Sequence, residues 1–202
     1  MVRSLDTSGR GECKVKDAMG LSNRPKKPRE PLTEAALFDY ATASLGRRAQ
    51  TVAELKRRLR TRVEAGETGE QKIAGVVARL KEYKFLNDAS FAADYTRLRQ
   101  ENDKLGRRRV QQGLMQKGVH PELVTSALEI AYENVNEEQL ARAYIERKRM
   151  VQPKDKKEAA RTVRRLIAAG FTPPTIFKVL RRWVPDEESL EGLDQGESGE
   201  DS

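Results

Sequence analysis

The sequence predicts an all-α protein in which three tandem three-helix repeats form an elongated, curved array between disordered N- and C-terminal tails. Apolar residues recur at helical spacing, helix-start signals precede the periodic segments, and the segments recur at a spacing of roughly 50 residues. No segment shows the sustained alternation of apolar and polar residues that indicates a half-buried strand.

Both ends of the chain lack apolar periodicity, and we expect a disordered basic tail at 1–33 and a disordered acidic tail at 185–202. The N-terminal tail is rich in Gly, Ser, Lys and Arg and ends in several prolines, whereas the C-terminal tail is rich in Gly. The N-terminal tail carries 8 basic and 4 acidic residues, and the C-terminal tail carries 8 acidic and no basic residues. Simple solubilisation is the favoured role for both, with DNA contact and competition with DNA as the alternatives.

Helices are expected to begin where a side-chain acceptor is followed three residues later by Glu or Gln, the capping-box pattern. His120 and Thr172 each precede a proline, which is favourable at the first helical position because its missing N–H has no partner there. With the periodicity, these signals predict nine helices. The capping-box pairs are Thr51 with Glu54, Asn136 with Gln139, and Asp155 with Glu158.

The apolar residues form one stripe per helix, as expected for amphipathic helices packed on one face. Tyr40, Tyr95, Tyr144 and Trp183 are expected in the core, and surface aromatics of the kind found in single-strand-binding proteins are not expected. The clearest stripes are Val52, Leu55, Leu59 and Val63; Ile73, Val76, Val77 and Leu80; Phe91, Ala92, Tyr95 and Leu98; Leu123, Ala127, Ile130 and Ala131; Leu140 and Tyr144; Ile176, Leu180 and Trp183.

The repeats are expected at residues 34–86, 87–135 and 136–184. QKGV at 116–119 recurs as AAGF at 168–171, so that Gly118 and Gly170 are each suited to the left-handed backbone after a helix end. One triplet is too small to bury its own stripes well, and neighbours are therefore expected to stack. The residues that occupy similar places in the three middle helices are Leu59, Leu114 and Leu166.

The predicted folded part is more basic than the chain as a whole. The chain has 39 Lys and Arg against 31 Asp and Glu, and residues 34–184 retain 31 basic and 19 acidic residues, a net charge of +12. Such a charge favours a polyanionic partner such as nucleic acid, although solvated helix surfaces would account for it equally well.

Few residues indicate catalysis, disulfide formation or metal binding. Cys13 is the only cysteine, which excludes an intrachain disulfide, and His120 stands where a helix start is expected rather than an acid–base or metal site. There is no glycine-rich phosphate loop, no apolar segment of a secretion signal, and no apolar run near the roughly 18 residues that cross a bilayer. We expect a cytoplasmic protein without catalysis, cofactor or metal.

Three stretches of the periodic region resemble the RecX family. TVAELKRRL at 51–59 is similar to the family's second helix, LNDASFAADY at 86–95 to its joint between the first two repeats, and GRRRVQQGLMQKGV at 106–119 to its next element. The resemblance covers about residues 34–184. Asn87 stands where Asp is usual, the loop at 64–71 is longer than in compact members, and the third repeat matches by pattern alone.

The resemblance implies a regulator that binds the RecA nucleoprotein filament and mainly inhibits its recombinase, ATPase and co-protease activities in DNA repair, recombination and the SOS response. It implies RecA and single- and double-stranded DNA as partners, met directly or within the filament, and no membrane. A monomer is expected because no helix shows the long heptad seam of an obligate coiled coil.

The second helix of each repeat carries a basic cluster beside its apolar stripe. Clusters at equivalent places would line one side of a stack, and we expect them to contact RecA or DNA, with surface solvation as the alternative. Arg181 and Arg182 are instead expected to complement the dipole of the last helix. The clusters are Lys56, Arg57, Arg58, Arg60 and Arg62; Arg107, Arg108 and Arg109; and Arg161, Arg164 and Arg165.

In the joint between the first two repeats, Asp88 is expected to cap a helix and Phe91 to anchor that helix in the core. Two other functions fit less well. A helix-turn-helix transcription regulator would use the adjacent helices of 51–83, yet the second of these is not unusually basic. A helical scaffold that binds only protein is the third candidate.

The acidic tail generates one prediction. If residues 185–202 compete with DNA for the basic core, deleting them raises the affinity of the chain for DNA, most strongly at low salt where charges are least screened. A salt titration of DNA binding checks this. Identical titrations for the full and shortened chains would show the tail to be inert.

Overall fold

The computed structural model describes residues 30–181, and this part of the chain contains nine α-helices and no strand. Residues 1–29 of the predicted basic tail, the whole predicted acidic tail, and Arg182 and Trp183 lie outside the described residues. The helices are α1 (Glu34–Arg47), α2 (Val52–Leu59), α3 (Glu67–Glu82), α4 (Asp88–Glu101), α5 (Arg107–Gln116), α6 (Pro121–Tyr132), α7 (Glu137–Arg147), α8 (Lys156–Ala168) and α9 (Pro173–Leu180).

The helix starts agree with the capping patterns. Thr51 and Glu54 form a complete capping box, and Asn136 accepts a hydrogen bond from the backbone N–H of Gln139. Asp155 caps α8, although the Glu158 carboxylate accepts from the backbone N–H of Lys154 at 2.9 Å rather than from Asp155. Helices α6 and α9 begin with a proline as predicted. Local sequence therefore determines where these helices begin.

Three successive helices share each of three hydrophobic cores, which confirms the prediction of three three-helix repeats. Leu59, Leu114 and Leu166 are fully buried, one in each core. Leu105 and Tyr132 pack against both the second and the third core, so the apolar interior continues from one triplet to the next. The small triplets thereby extend their burial through their neighbours.

Two stripe assignments are wrong. Leu98 is 45% exposed and Ile130 is 76% exposed. Each follows a buried residue, Thr96 and Leu128 respectively, by two positions, and residues two apart do not share a helix face. The helix that carries Leu98 buries only a narrow strip, so the extra apolar residue faces solvent.

Glycines allow the triplets to approach closely. Gly118 and Gly170 have φ values of +74° and +92°, the left-handed conformation predicted for them. Gly170 also lies against Gly106 of the preceding triplet, and the backbone N–H of Gly106 donates to the carbonyl of Ala169 at 2.9 Å. A Cβ on either glycine would collide with backbone of the other segment. This contact requires glycine on both sides.

The Gly106 contact generates a stability prediction. Gly106→Ala forces the backbones of two triplets apart, and we expect a loss of about 2 kcal/mol or more in the free energy of unfolding. Gly46→Ala is the matched control, because a Cβ there meets nothing within 4 Å and alanine favours a helix by roughly 0.5–1 kcal/mol. Urea unfolding measures both. Equal stability of the two variants would contradict the proposed close contact.

Candidate partner-binding surface

The basic cluster of the first triplet is largely occupied within the protein. The Arg58 guanidinium donates to Ser44 Oγ at 2.9 Å, and Arg60 makes two hydrogen bonds to the Glu70 carboxylate at 2.6 and 3.1 Å. The Arg62 guanidinium lies 4.5 Å from the centre of the Tyr40 ring. Within residues 30–181, only Lys56 and Arg57 of the five residues in this cluster are left without such a contact. The basic residues in the last turn of α2 also interact favourably with the negative end of the helix dipole.

The second cluster differs in its position on the helix. Arg107, Arg108 and Arg109 are exposed and occupy the first turn of α5. That turn has no acidic residue, and its N-cap, Gly106, provides no side-chain hydrogen bond. Arg109 donates to the Gln112 side chain at 2.9 Å, and within residues 30–181 no carboxylate forms an ion pair with any of the three arginines.

Three cations at this place oppose the fold. The N-terminus of a helix carries partial positive charge, so each exposed cation there is disfavoured by roughly 0.3–1 kcal/mol. The same geometry is favourable once an anion lies in front of the helix, because backbone N–H groups and guanidinium groups then point toward it. Helix stability therefore does not account for this arrangement, whereas its geometry is that of an anion-binding helix terminus.

A cleft of about 250 Å³ lies beside this turn and is lined by Arg107, Arg108, Tyr132, Glu137 and Thr172 among others. The Glu137 carboxylate accepts hydrogen bonds from the Thr172 N–H at 2.8 Å and from the hydroxyl groups of Thr172 and Thr175 at 2.6 Å each. Burial raises the Glu137 pKa, but these hydrogen bonds, together with the nearby positive charge of Arg108, outweigh burial and hold the pKa below its usual range. Glu137 thus caps α9.

The third cluster lies on α8, where Arg161, Arg164 and Arg165 are exposed. Arg161 and Arg164 line one open cleft of about 540 Å³, together with Asp155, Lys157 and Glu158. The two acidic side chains belong to the N-terminal cap of the helix. This cleft shares no lining residue with the one beside α5. Each of these two clefts therefore brings together arginines of a single basic cluster. Neither cleft joins clusters that lie on different triplets.

Asp88 has a different role from the one predicted. Asn87 is the N-cap of α4, because its backbone is extended and its side chain accepts from the N–H groups of Ala89 and Ser90. The Asp88 carboxylate instead accepts a hydrogen bond from the backbone N–H of Val52, 36 residues away, at 2.9 Å. It therefore caps the first turn of α2 and joins the first two triplets, a contact that local sequence does not reveal.

Lys117 completes this joint. Its carbonyl accepts from Thr51 Oγ at 2.6 Å, and its ammonium group lies 2.8 Å from Glu54 Oε1. The ammonium group also lies 5.6 and 5.8 Å from the ring centres of Phe91 and Tyr95, which are half-buried. Burial by itself raises the pKa of Glu54. The hydrogen bond and positive charge of Lys117, together with the hydrogen bond from the Thr51 N–H, lower the pKa by more than burial raises it, so the pKa lies below its usual value.

The sequence also gave no indication of an exposed aromatic group. Tyr83 and Phe85, at the end of α3, are each 56% exposed, and neither was singled out from the sequence. The predicted core positions of three tyrosines are confirmed. Tyr144 is buried in the third core, and Tyr40 and Tyr95 pack half-buried against the first and second cores.

Within residues 30–181, every helix is too short or too polar to span a lipid bilayer. The same range contains no group of three His, Cys, Asp or Glu side chains placed to hold a metal ion.

Comparison with known proteins identifies RecX proteins as relatives of this chain. Residues 87–128 match the family model described as RecX, second three-helix domain. The chain is 32% identical to the regulatory protein RecX of Leptothrix cholodnii over 160 residues, which covers 79% of this chain and 92% of the relative. It is 30% identical to that of Oceanobacillus iheyensis over 61% of this chain, but the alignment spans only 46% of that relative.

Solved structures give the same result for the fold. The crystal structure of RecX from Lactobacillus salivarius is similar with a TM-score of 0.59 at 18% sequence identity, covering 74% of this chain and 96% of the other.

The Lys117 joint generates a prediction of pH dependence. The folded-state pKa of Glu54 is lowered, so its contribution to stability is present above the unfolded value of about 4.5 and is lost as pH falls through the folded value. We expect Glu54→Gln to cost about 1 kcal/mol at pH 7 and to flatten the dependence of unfolding free energy on pH below 4.5.

Thermal or urea unfolding between pH 3 and pH 7 provides the measurement, with Glu129→Gln as the control because that side chain is exposed and forms no ion pair within residues 30–181. A Glu54→Gln curve that runs parallel to the wild-type curve would show that the ion pair makes no contribution.

Proposed function

The chain belongs to the RecX family of regulatory proteins, and from this membership we propose that it binds the RecA nucleoprotein filament and mainly inhibits RecA. The activities affected would be those that the family resemblance implies, namely strand exchange, DNA-dependent ATP hydrolysis and the co-protease function. The protein would then act in DNA repair, recombination and the SOS response, in the cytoplasm. Regulation by binding, without a bond-making step, is part of the proposal.

The observation that carries the proposal is the first turn of α5. Arg107, Arg108 and Arg109 stand exposed at the positive end of a helix, without an ion-pair partner in the described part of the chain. Their position costs stability, and a polyanion offsets that cost when it binds. A nucleoprotein filament offers such a partner through the phosphates of its DNA and through acidic side chains of its protein.

The three basic clusters are not equivalent in this proposal. The α5 cluster is the principal contact. Arg161, Arg164 and Arg165 on α8 form a second, since they are exposed, although Asp155 and Glu158 lie beside them. In the first triplet the contact rests on Lys56 and Arg57, because Arg58, Arg60 and Arg62 already contact Ser44, Glu70 and Tyr40.

Electrostatic docking has a characteristic dependence on salt. Each phosphate that the protein neutralises releases counterions, so affinity falls linearly with the logarithm of salt concentration. Exposed arginines also accelerate association with a polyanion by steering. We therefore expect regulation of RecA to weaken steeply as ionic strength rises, and we propose that a monomer is the active form.

The proposal predicts the effect of reversing charge at α5. Arg107→Glu combined with Arg109→Glu should weaken inhibition of the RecA ATPase on single-stranded DNA at least about tenfold, since two phosphate or carboxylate contacts become repulsive. Helix content should not fall, because acidic residues favour the first turn of a helix. Circular dichroism and an ATPase inhibition titration measure the two quantities.

The matched control is Arg97→Glu combined with Arg99→Glu. It makes the same charge change at the same spacing on α4, where both arginines already pair with Asp94, Glu101 and Asp103. Inhibition should change much less in this variant. Equal potency of the α5 variant and the wild type would reject the surface, and tight sequence-specific binding to bare duplex would favour a transcription regulator instead.

A further inference from the structure

The cleft beside α5 is lined by apolar as well as charged side chains. Val135 and Leu140 provide aliphatic surface, and Tyr132 adds a ring that packs against both the second and the third core. Arg107 and Arg108, both exposed, also line the cleft. Its volume of about 250 Å³ is below the roughly 300–1,000 Å³ of pockets that hold drug-sized ligands. The cleft therefore suits one or two side chains of a peptide that has both apolar and acidic groups.

Both arginines act electrostatically on the walls of the cleft. Burial raises the pKa of the Tyr132 hydroxyl, and the positive charge of Arg107 opposes that rise. The charge of Arg108 acts on the Glu137 carboxylate, whose oxygens accept hydrogen bonds from Thr172 and Thr175. Neither arginine forms an ion pair among the described residues. Two guanidinium groups therefore remain for an incoming carboxylate.

The other two basic clusters lack this combination of side chains. The described residues that line the open cleft on α8 are all charged, and two of them, Asp155 and Glu158, are acidic. In the first triplet, Arg58, Arg60 and Arg62 already contact a hydroxyl, a carboxylate and an aromatic ring. A segment that carries both apolar and acidic side chains is therefore matched to the cleft beside α5.

The chain itself contains such a segment. It continues for 21 residues beyond Arg181, the last residue that the structure describes. Within that stretch, DEESLEGLD at 186–194 places Leu190 and Leu193 among five acidic residues, and no basic residue occurs from 185 to the end. The leucines match the apolar lining of the cleft, and the carboxylates match its arginines.

The segment is also close enough to reach the cleft. Thr172 lines the cleft and immediately precedes α9, whose 8 residues span about 12 Å at 1.5 Å each. Leu190 follows Arg181 by nine residues, which span up to about 30 Å when extended. A tether this short raises the effective concentration of the segment to the order of 1 mM. Even a weak contact is therefore populated.

We propose that residues 186–194 dock in the cleft beside α5 of the same chain. A leucine is buried against Val135 and Leu140, and the neighbouring carboxylates bind Arg107 and Arg108. The docked segment masks the arginines of α5, so that a partner must displace it. Its consequence for RecA rests on the proposed function, whereas the docking itself requires no RecA. Because the leucines fix one position, this contact differs from general attraction of an acidic tail to basic surfaces.

Paramagnetic NMR on the full chain, without RecA, tests the docking. A nitroxide label is attached at Gln195→Cys, after Cys13→Ser removes the only native cysteine. We expect the label to broaden the backbone amide signals of residues 106–108 and 137–140 at the cleft. The signals of residues 156–164 on α8 should be affected far less, because the cleft on that helix offers no apolar lining.

Leu190→Ser combined with Leu193→Ser tests the anchors, since it keeps every charge of the segment. Broadening at the cleft should be lost in this variant. The matched control is Glu197→Gln combined with Glu200→Gln, which removes two charges outside the segment, keeps both leucines and should leave the broadening in place. The proposal is overturned if the wild type shows no broadening at the cleft, if the leucine variant matches the wild type, or if the broadening is spread evenly over α2, α5 and α8.

Inhibition of the RecA ATPase tests the masking. The leucine variant should inhibit about twofold to tenfold more potently than the wild type, the gain expected if the segment covers about one half to nine tenths of the molecules. The control variant should inhibit as the wild type does. Docking in the NMR experiment with equal potency of the leucine variant would overturn the masking. If no variant inhibits RecA, the proposed function fails, and the NMR result alone decides the docking.

Discussion

The close backbone contacts between successive triplets are the constraint on which the other features depend. Gly106 and Gly170 meet backbone to backbone, and the N–H of Gly106 is hydrogen-bonded to the carbonyl of Ala169 across that contact. At the other joint, Thr51 and Asp88 bind backbone groups of the neighbouring triplet. Because each of these bonds joins a backbone group to another backbone group or to a short side chain, the positions of the second helices relative to one another do not rely on long, mobile side chains. A surface distributed over three small units can then bind one extended partner.

The pairing of charges distinguishes structural cations from those available to a partner. Arg60, Arg97 and Arg99 have carboxylate partners at the surface, where an ion pair contributes only about 0–1 kcal/mol. Lys117 takes part in the joint through Glu54 and two aromatic rings. Within residues 30–181 the arginines of α5 form no ion pair, and they stand where helix electrostatics disfavours them, although the charge of Arg108 acts on Glu137. Net charge alone would not distinguish structural cations from those available for binding. The position of each cation on its helix and the presence of a carboxylate or aromatic partner do distinguish them.

The sequence predicted the features that depend on local interactions. Helix starts at Thr51 and Asn136 and left-handed glycines at 118 and 170 follow from contacts within a few residues, and such patterns are visible in the chain itself. The partners of Asp88 and Glu137 lie 35 or more residues away, so no local pattern indicates them. The same reason applies to the candidate surface: whether a given arginine is free or paired, and whether Phe85 is buried, depends on which helices pack together.

The central claim is that basic faces on successive triplets, held in place by the joints, bind one RecA filament together. Hydrogen exchange measured by mass spectrometry, on the chain alone and bound to RecA on single-stranded DNA, tests it most directly. We expect slower exchange in α5, α8 and α2 in the same complex, with the strongest effect in the first turn of α5. Protection confined to a single triplet, or found on helices α1, α4 and α7 instead, would contradict it.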